Sequence, residues 1–213
     1  MDRIIMDSII FDVDGTLWNS TEIVARAWTR YLRETEGIHM ELTSSRLMGL
    51  FGRLLPDIAK ALFPDLPESE QLRIIDGCCQ AEHEALLEEC APLYEDLEKA
   101  LGILSEKFPL FIVSNCQAGY IEVFLKATGF GRYFKGHLCP GDTGMAKAEN
   151  ITKIAEDYHL ASPVYVGDTM GDYQACQKAG VPFIFASYGF GDVPSPYAAI
   201  QKPMDLISLC ISE

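Results

Sequence analysis

The sequence is poor in basic residues. Only 17 lysines and arginines stand against 31 aspartates and glutamates in 213 residues, which gives a formal net charge of −14. A surface that binds nucleic acid must carry positive charge to meet the phosphate backbone, so this balance argues against a nucleic-acid partner. The same negative charge repels phosphorylated molecules. Any site for one must therefore supply positive charge locally, from a cation, a lysine or backbone N–H groups.

Long apolar runs and paired cysteines are missing as well. No stretch approaches the roughly 20 apolar residues that a membrane-spanning helix needs, and residues 1–7 are too short and too polar to form a signal peptide. The seven cysteines show no C-x-x-C spacing, which is typical of reduced cysteines and not of a zinc site. We therefore expect a cytoplasmic protein with no membrane partner. Its oligomeric state stays open.

Several catalytic signatures are also absent. No cysteine is followed six positions later by an arginine, which excludes the loop of the cysteine-dependent phosphatases. The patterns G-x-S-x-G, G-x-G-x-x-G and Walker A do not occur. The four histidines are scattered along the chain, so we expect them at the surface or in the core and not around a metal.

Short apolar runs that end in polar residues indicate buried parallel strands. The runs are residues 8–11, 110–113, 134–139, 164–166 and 181–185. Helical stretches separate the later runs, at residues 119–127, 148–158 and 173–179. This alternation predicts an α/β fold in which helices cover both faces of a parallel sheet.

Nearly a hundred residues between the first two runs show no strand pattern. Helical spacing marks residues 20–36, 54–62 and 68–90, which is too much chain for one crossover helix. We therefore predict a helical module inserted after the first strand, and a helix over residues 94–107 that returns the chain to the sheet. The predicted domains are an α/β core, residues 1–17 and 92–213, and an all-helical insertion, residues 18–91.

Polar residues follow the predicted strands at their carboxyl ends, where open α/β sheets bind ligands. These residues are Asp12, Asp14, Ser114, Asn115, Asp168 and Asp172, and Lys147 begins the helix after an intervening strand. Clustered carboxylates repel one another, and a hard cation such as Mg2+ is the usual way to neutralise them. The lysine, the serine hydroxyl and free backbone N–H groups are suited to hold phosphoryl oxygens.

In this order and spacing the residues resemble the haloacid dehalogenase-like hydrolases. The hallmarks of that family are D-x-D-G-T after the first strand, a strand-terminal Ser or Thr, a Lys, and G-D-x-x-x-D. Here they correspond to residues 12–16, Ser114, Lys147 and residues 167–172. The resemblance covers essentially the whole chain. It implies a Rossmann-like sheet, with the insertion as a cap domain like that of phosphoglycolate phosphatases and β-phosphoglucomutases.

The resemblance also implies a role for each residue. Asp12 attacks phosphorus and carries an aspartyl-phosphate, while Asp14 protonates the leaving oxygen and then activates water. Ser114, Asn115 and Lys147 bind the phosphoryl group. Mg2+ is bound by the Asp12 carboxylate, the Asp14 carbonyl oxygen, Asp168 and, directly or through water, Asp172.

The leading hypothesis is a magnesium-dependent phosphatase that acts on a small phosphorylated metabolite. Phosphoglycolate, a sugar phosphate, a nucleotide and pyrophosphate all stay open as substrates. A phosphosugar mutase like β-phosphoglucomutase is the nearest rival, but such mutases place a cap-side histidine ten residues after the second aspartate, where this sequence has Val24. A catalytically idle protein that binds a phosphorylated ligand is a third reading.

Substrate selection is expected to come from the cap, which closes over the site. Trp18 stands at the first crossing into the cap, where it either lines the entrance or packs at the hinge. Residues 46–53 resemble the glycine-containing loop that such caps point into the site. Arg46 or Arg53 would then bind an anionic substrate tail, unless both lie on a solvated face. Residues 189–191 are interpreted as a loop at the edge of the site.

Overall fold

A six-stranded parallel sheet forms the centre of the molecule. The computed structural model describes residues 5–211; residues 1–4, which include most of the segment weighed as a signal peptide, and residues 212–213 lie outside the described residues. The strand order is β3-β2-β1-β4-β5-β6, and all pairs are parallel. The strands are β1 (Ser8–Phe11), β2 (Leu110–Val113), β3 (Phe134–Leu138), β4 (Pro163–Gly167), β5 (Phe183–Ala186) and β6 (Ala198–Ile200).

Helices fill the connections between these strands. Five lie between β1 and β2: α1 (Thr21–Glu34), α2 (Ser44–Met48), α3 (Leu55–Leu62), α4 (Glu68–Glu88) and α5 (Leu97–Ser105). The others are α6 (Tyr120–Thr128), α7 (Pro140–Thr143), α8 (Lys147–Asp157), α9 (Met170–Ala179) and, after β6, α10 (Asp205–Cys210). Within the described range, no helix combines the length and the apolar character needed to cross a membrane.

Strand β1 lies in the middle of the sheet because all four of its residues tolerate complete burial. Ile10 pairs with Phe111 of β2 on one side and with Tyr165 of β4 on the other. Strands that are buried on both faces carry continuous apolar runs, which is the pattern seen here. The polar residues after β1 therefore emerge at the centre of the carboxyl edge.

Two apolar layers cover the sheet. On one face, Ile10, Phe111 and Tyr165 pack against α8 and α9. On the other face, Ile9 and Phe11 belong to a larger cluster that includes residues of α5, α6 and α10. The prediction of a parallel sheet with helices on both faces is confirmed.

The helical insertion packs on itself and on the sheet unit. Helices α1 and α4 run against each other, and α4 also packs against α6. The two crossings between insertion and sheet lie side by side, since the Asn19 N–H donates to the Pro92 carbonyl over 2.9 Å and Trp18 forms a β-bridge with Leu93. The insertion thus begins and ends at one place.

Several elements differ from the sequence prediction. Helices α2, α7 and α10 and strand β6 were not predicted, and each is six residues long or shorter. Helix α5 starts at Leu97 and not at residue 94, because Asp96 adopts a left-handed backbone with φ 55° that interrupts a helix. Short elements carry too few periodic positions for their pattern to be recognised.

Candidate active site at the carboxyl edge of the sheet

Three buried aspartates meet where β1 and β4 end. Asp12 follows β1, Asp168 follows β4, and Asp172 lies in the first turn of α9. One carboxylate oxygen from each lies within 4.8 Å of the others, and none of the three residues is more than 2% exposed. Because β1 and β4 are neighbours, residues that are far apart in sequence are brought together here.

Lys147 lies between two of these carboxylates. It is the first residue of α8, and its Nζ donates to Asp12 Oδ1 over 2.8 Å and to Asp172 Oδ1 over 2.5 Å. The lysine is itself 3% exposed. One ammonium group therefore faces three carboxylates in a space from which water is largely excluded.

The pKa values reflect this shortage of positive charge. Burial raises the pKa of Asp12, an effect that Lys147 opposes and Asp172 reinforces. Burial also raises the pKa of Asp168 well above its usual value, and the charges of Asp172 and Asp12 add to the shift. For Lys147, burial favours the neutral form, but the two aspartates outweigh it and the pKa is raised. A divalent cation would supply the missing charge, and carboxylate oxygens are the ligands that Mg2+ prefers. The residues present therefore fit this ion.

Asp172 is the most fully engaged of the three acids. Its Oδ1 accepts from Lys147, and its Oδ2 accepts from the backbone N–H groups of Asp168 and Thr169 and from the Thr169 hydroxyl. The side chain thus fixes the turn between β4 and α9 and orients the lysine. Of its two predicted modes of metal contact, this arrangement favours the one through water.

Asp14 is held by three donors on one oxygen. Its Oδ1 accepts from Trp18 Nε1 at 3.0 Å, from the Ser20 hydroxyl at 2.5 Å and from the Tyr120 hydroxyl at 2.8 Å. Burial raises the pKa of Asp14 to about 7, even though the three hydrogen bonds favour the ionised form. A carboxyl group that titrates near neutrality is suited to exchange protons in both directions.

Two glycine-containing segments bring backbone close to Asp168. Gly15 has φ 82°, and a Cβ at that position would collide with the Asp168 carboxylate. On the other side, the Phe190 N–H donates to Asp168 Oδ2 over 2.7 Å, and Gly189 packs against the same side chain. Residues 189–191 therefore do more than border the site: they orient one of its acids.

A cavity lies between the aspartates and the insertion. The volume of the cavity is about 30 Å³. The sheet side contributes Asp12, Asp14, Ser114 and Asn115, and the insertion contributes mainly apolar side chains: Trp28, Phe51, Leu55 and Ile58. The cavity is narrow, so it suits a compact ligand.

The loop at residues 49–54 closes one wall of this cavity. The Asn115 amide donates to the Gly52 carbonyl over 2.9 Å, and the rings of Phe51 and Phe190 lie 6.5 Å apart. The other end of the amide, Asn115 Oδ1, is buried and has no hydrogen-bond partner in the part of the chain that the structure describes. The insertion thus contacts the sheet unit next to the site, through this hydrogen bond and this aromatic pair.

Glu82 is a second buried carboxyl group in the cavity wall. It projects from α4 and is 3% exposed, and its Oε2 accepts from Trp28 Nε1 over 2.7 Å. Its Oε1 accepts from Gln117 Nε2, which also contacts His83 Nε2 at 2.9 Å. Burial raises the pKa of Glu82 to about 8.

The structure corrects the predicted substrate contacts. Trp18 is fully buried, packs on Phe124 with ring centroids 5.0 Å apart and donates to Asp14, so it does not line the entrance. Arg46 and Arg53 are exposed and absent from the cavity wall, and Arg53 donates to the Gly49 carbonyl instead. The loop itself lies where the sequence predicted, but it presents Phe51 and the Gly52 backbone to the cavity.

Several residues of the site carry no local motif. Ser20, Tyr120 and Gln117 are brought in by the fold, and nothing in their sequence neighbourhood marks them. Glu82 did leave a signal: it is a glutamate on the buried stripe of α4, in register with Ile75, Cys79 and Leu86. A charged residue on an apolar helix face needs a partner or a function.

Comparison with known proteins gives a consistent family. The profile of the haloacid dehalogenase-like hydrolases matches residues 9–186. The phosphoglycolate phosphatase of Escherichia coli strain K12 is 28% identical over 153 residues, an alignment that covers 67% of this chain but only 61% of that enzyme. The pyrophosphatase PpaX of Anoxybacillus flavithermus is 26% identical over 215 residues, with 96% of each chain covered.

Solved structures show the same fold at lower identity. A haloacid dehalogenase-like family hydrolase from Streptococcus pneumoniae superposes with a TM-score of 0.81 and 20% identity, covering 95% of this chain and 97% of the other. A 2-haloacid dehalogenase from Pseudomonas syringae gives a TM-score of 0.66, also at 20% identity, with coverage of 96% and 98%. Proteins with different named activities thus share the architecture, and the activity must be argued from the site.

Proposed function

The chain belongs to the haloacid dehalogenase-like hydrolases, and we propose that it is a magnesium-dependent phosphatase that uses Asp12 as its nucleophile. The observation that carries this proposal is the convergence of Lys147, Asp168 and Asp172 on Asp12 at the carboxyl edge of the sheet. Phosphoryl transfer depends mainly on positioning and on charge stabilisation, and this arrangement supplies both.

Asp12 and Asp14 divide the chemistry between them. An oxygen of Asp12 forms a bond to phosphorus while the bond from phosphorus to the ester oxygen breaks, and Asp14 gives its proton to that leaving oxygen. Asp14 then takes a proton from water, whose oxygen attacks the phosphorus of the aspartyl-phosphate. Phosphate leaves and the Asp12 carboxylate is restored. The pKa of Asp14, about 7, supports both proton transfers.

The remaining residues position the phosphoryl group and the cation. Lys147 and Ser114 lie against Asp12 and offer donors to phosphoryl oxygens, while the Asn115 amide borders the same space. Mg2+ would be held by Asp12, Asp168 and the Asp14 carbonyl oxygen, with Asp172 acting through Lys147 and water. When bound, the ion neutralises charge on the transferring group.

We also propose a division into two domains, with the core at residues 1–17 and 92–213 and the cap at residues 18–91. The adjacent crossings at Asn19 and Pro92 support it, because a body joined to another at one place can move as a unit. Cap movement would let a substrate enter, since the loop at residues 49–54 closes one wall of the cavity.

The proposed substrate is a small phosphorylated metabolite, and the proposed setting is the cytoplasm. The narrow cavity favours compact esters over phosphoproteins. The seven cysteines are free in the described structure, which supports a reducing compartment. The relatives are named for phosphoglycolate and pyrophosphate hydrolysis, and both compounds belong in the first assay.

Phosphate release from a panel of small esters tests the proposal. With Mg2+ present we expect inorganic phosphate to accumulate from at least one ester, and we expect chelation of the ion to stop it. Hexose phosphates are followed in parallel for isomerisation. Sugar interconversion without phosphate release would replace the phosphatase with a mutase, and tight ligand binding without any turnover would indicate a binding protein.

A further inference from the structure

The polar groups that line the cavity beside Asp12 indicate what the rest of the substrate looks like. We propose that the substrate is a compact phosphate ester whose organic part carries a hydrogen-bond donor, either a hydroxyl or an ammonium group, and that Glu82 and Asn115 bind this donor. The inference rests on the proposed phosphatase function and narrows its substrate class. It makes a carboxylate-bearing ester such as phosphoglycolate a poor substrate.

Glu82 offers acceptor capacity at a defined place. Trp28 Nε1 and Gln117 Nε2 donate to its two oxygens, one to each, and hold the carboxyl group in one orientation. A carboxyl oxygen that carries no proton accepts more than one hydrogen bond, so Glu82 keeps at least one oxygen with acceptor capacity beyond these contacts in either protonation state. A buried carboxyl group held in this way in a cavity wall is suited to meet a donor.

Asn115 provides a second acceptor in the same cavity. Its amide nitrogen is oriented by the Gly52 carbonyl, which assigns the other end of the amide as oxygen. That oxygen is buried and has no partner among the described residues. Leaving a buried acceptor unpaired is unfavourable, and a substrate hydroxyl or ammonium group would remove this cost.

Positive charge is absent from the organic end of the cavity. Within residues 5–211, no lysine, arginine or histidine belongs to its wall, and the ammonium of Lys147 is already engaged beneath Asp12. A substrate carboxylate would therefore be buried there with no positive charge to balance it. Burying an unpaired charge is strongly unfavourable.

The apolar wall sets the size of the organic part. Trp28, Leu55 and Ile58 leave a narrow space between Glu82 and the aspartates. Such a space suits a short carbon chain that carries its phosphate at one end and its donor at the other. Two-carbon esters are therefore the appropriate probes.

Four esters of nearly equal size test the inference on the unaltered protein. They are 2-hydroxyethyl phosphate, phosphoethanolamine, ethyl phosphate and 2-phosphoglycolate, assayed with Mg2+. We expect kcat/KM for the better of the two donor-bearing esters to exceed that for phosphoglycolate by at least about tenfold, because the donor gains a hydrogen bond and phosphoglycolate would bury an unpaired carboxylate. Comparing the first two compounds shows whether the donor is a hydroxyl or an ammonium group.

Glu82→Gln tests the residue itself, with Glu88→Gln as the matched control. Glu88 is exposed near the end of the same helix. We expect Glu82→Gln to reduce the preference for the donor-bearing ester over phosphoglycolate by at least about fivefold, and Glu88→Gln to leave it unchanged. The ratio is the readout, so a general loss of activity in the variant does not alter its meaning.

The possible outcomes separate this inference from the proposed function. Efficient hydrolysis of all four esters with phosphoglycolate the best would overturn the inference and leave the phosphatase intact. An unchanged ratio in Glu82→Gln would likewise remove Glu82 from substrate selection. Failure to release phosphate from any ester in the wider panel would overturn the proposed function itself.

Discussion

The Nζ of Lys147 lies 2.8 Å from Asp12 Oδ1, although 135 residues separate the two positions. Both side chains are 3% exposed, so the pair is shielded from water. An ion pair this deeply buried is held in place by the surrounding fold, and removing one member leaves the other charge without compensation. The same pair is therefore expected to affect both the stability of the fold and the proposed reaction.

Replacing the lysine is expected to destabilise the fold. Lys147→Met should lower the free energy of unfolding at pH 7 by about 3–5 kcal/mol, because two carboxylates lose their buried partner. Urea denaturation followed by circular dichroism measures the change. Lys153→Met is the control: this exposed lysine pairs with Asp157 one helical turn away and should contribute less than about 0.5 kcal/mol. Combining Lys147→Met with Asp12→Asn should recover part of the lost unfolding free energy. If the two substitutions lower the unfolding free energy additively, this account is contradicted.

Removing the proposed nucleophile should abolish turnover without unfolding the protein. Asp12→Asn preserves the size of the side chain, so we expect a loss of kcat of at least about 10³-fold with the circular dichroism spectrum unchanged. Steady-state phosphate release provides the measurement. Asp65→Asn, an exposed aspartate on the insertion, serves as the matched control and should retain full activity. Turnover by the Asp12 variant near the unaltered rate would remove this residue from the mechanism.

Binding of Mg2+ should raise the melting temperature through the acidic cluster. At a Mg2+ concentration 100 times the dissociation constant, the expected stabilisation is about 2.7 kcal/mol. Differential scanning fluorimetry in a Mg2+ titration measures it. Asp168→Asn should remove most of the response, whereas Asp142→Asn should not. Asp142 belongs to the exposed group with Glu122 and His137, whose ligand atoms also lie within 4.8 Å of one another. An equal loss in both variants would point to nonspecific binding.

The hydroxyl of Tyr120 should tune the pH profile through Asp14. The hydrogen bond from Tyr120 favours the ionised carboxylate and so lowers the pKa of Asp14. Without it, that pKa rises, and Asp14 keeps its proton to higher pH. In Tyr120→Phe the alkaline limb of kcat/KM should therefore move to higher pH. Tyr158→Phe, whose hydroxyl donates to Lys135 away from the site, should leave the limb in place. If the alkaline limb stays at the same pH in both variants, it does not report the titration of Asp14.

Glu82 should make the protein less stable as pH rises. Burial raises the pKa of Glu82 from 4.5 to about 8, so the folded state holds a proton that the unfolded state releases between these values. Stability contributed by this group is complete below pH 4.5 and is lost as pH approaches 8. The full loss is on the order of 5 kcal/mol at most. Glu82→Gln should flatten the dependence of the unfolding free energy on pH in that interval. If the unfolding free energy of Glu82→Gln depends on pH as strongly as that of the unaltered protein, the raised pKa of Glu82 is contradicted.

Much of the site was predictable because its chemistry lies next to strands. Asp12, Ser114 and Asp168 follow apolar runs that the sequence shows clearly, and parallel strands end at a common edge. Their order along the chain was enough to predict which edge and which acids. Their convergence in the structure agrees with that prediction, while their catalytic roles stay proposals.

The cap contacts were less predictable, since they depend on packing between distant elements. Arg46 and Arg53 carry the charge that an anionic substrate would need, yet both are exposed, one on α2 and the other in the loop before α3. Trp18 is large and close to the crossing, but the aromatic cluster with Phe124 buries it. Charge and size indicate what a residue can bind, and the direction in which it points is set by tertiary contacts.

The neighbouring crossings at Asn19 and Pro92 have a consequence for how this architecture diversifies. A segment whose two ends already touch can grow or shrink at little expense to the body that carries it: each doubling of its length adds only about 0.6 kcal/mol of closure entropy. The aspartates at the strand ends all lie outside that segment. Substitutions within the insertion can thus change which substrate is selected, while the aspartates proposed to carry the reaction stay the same.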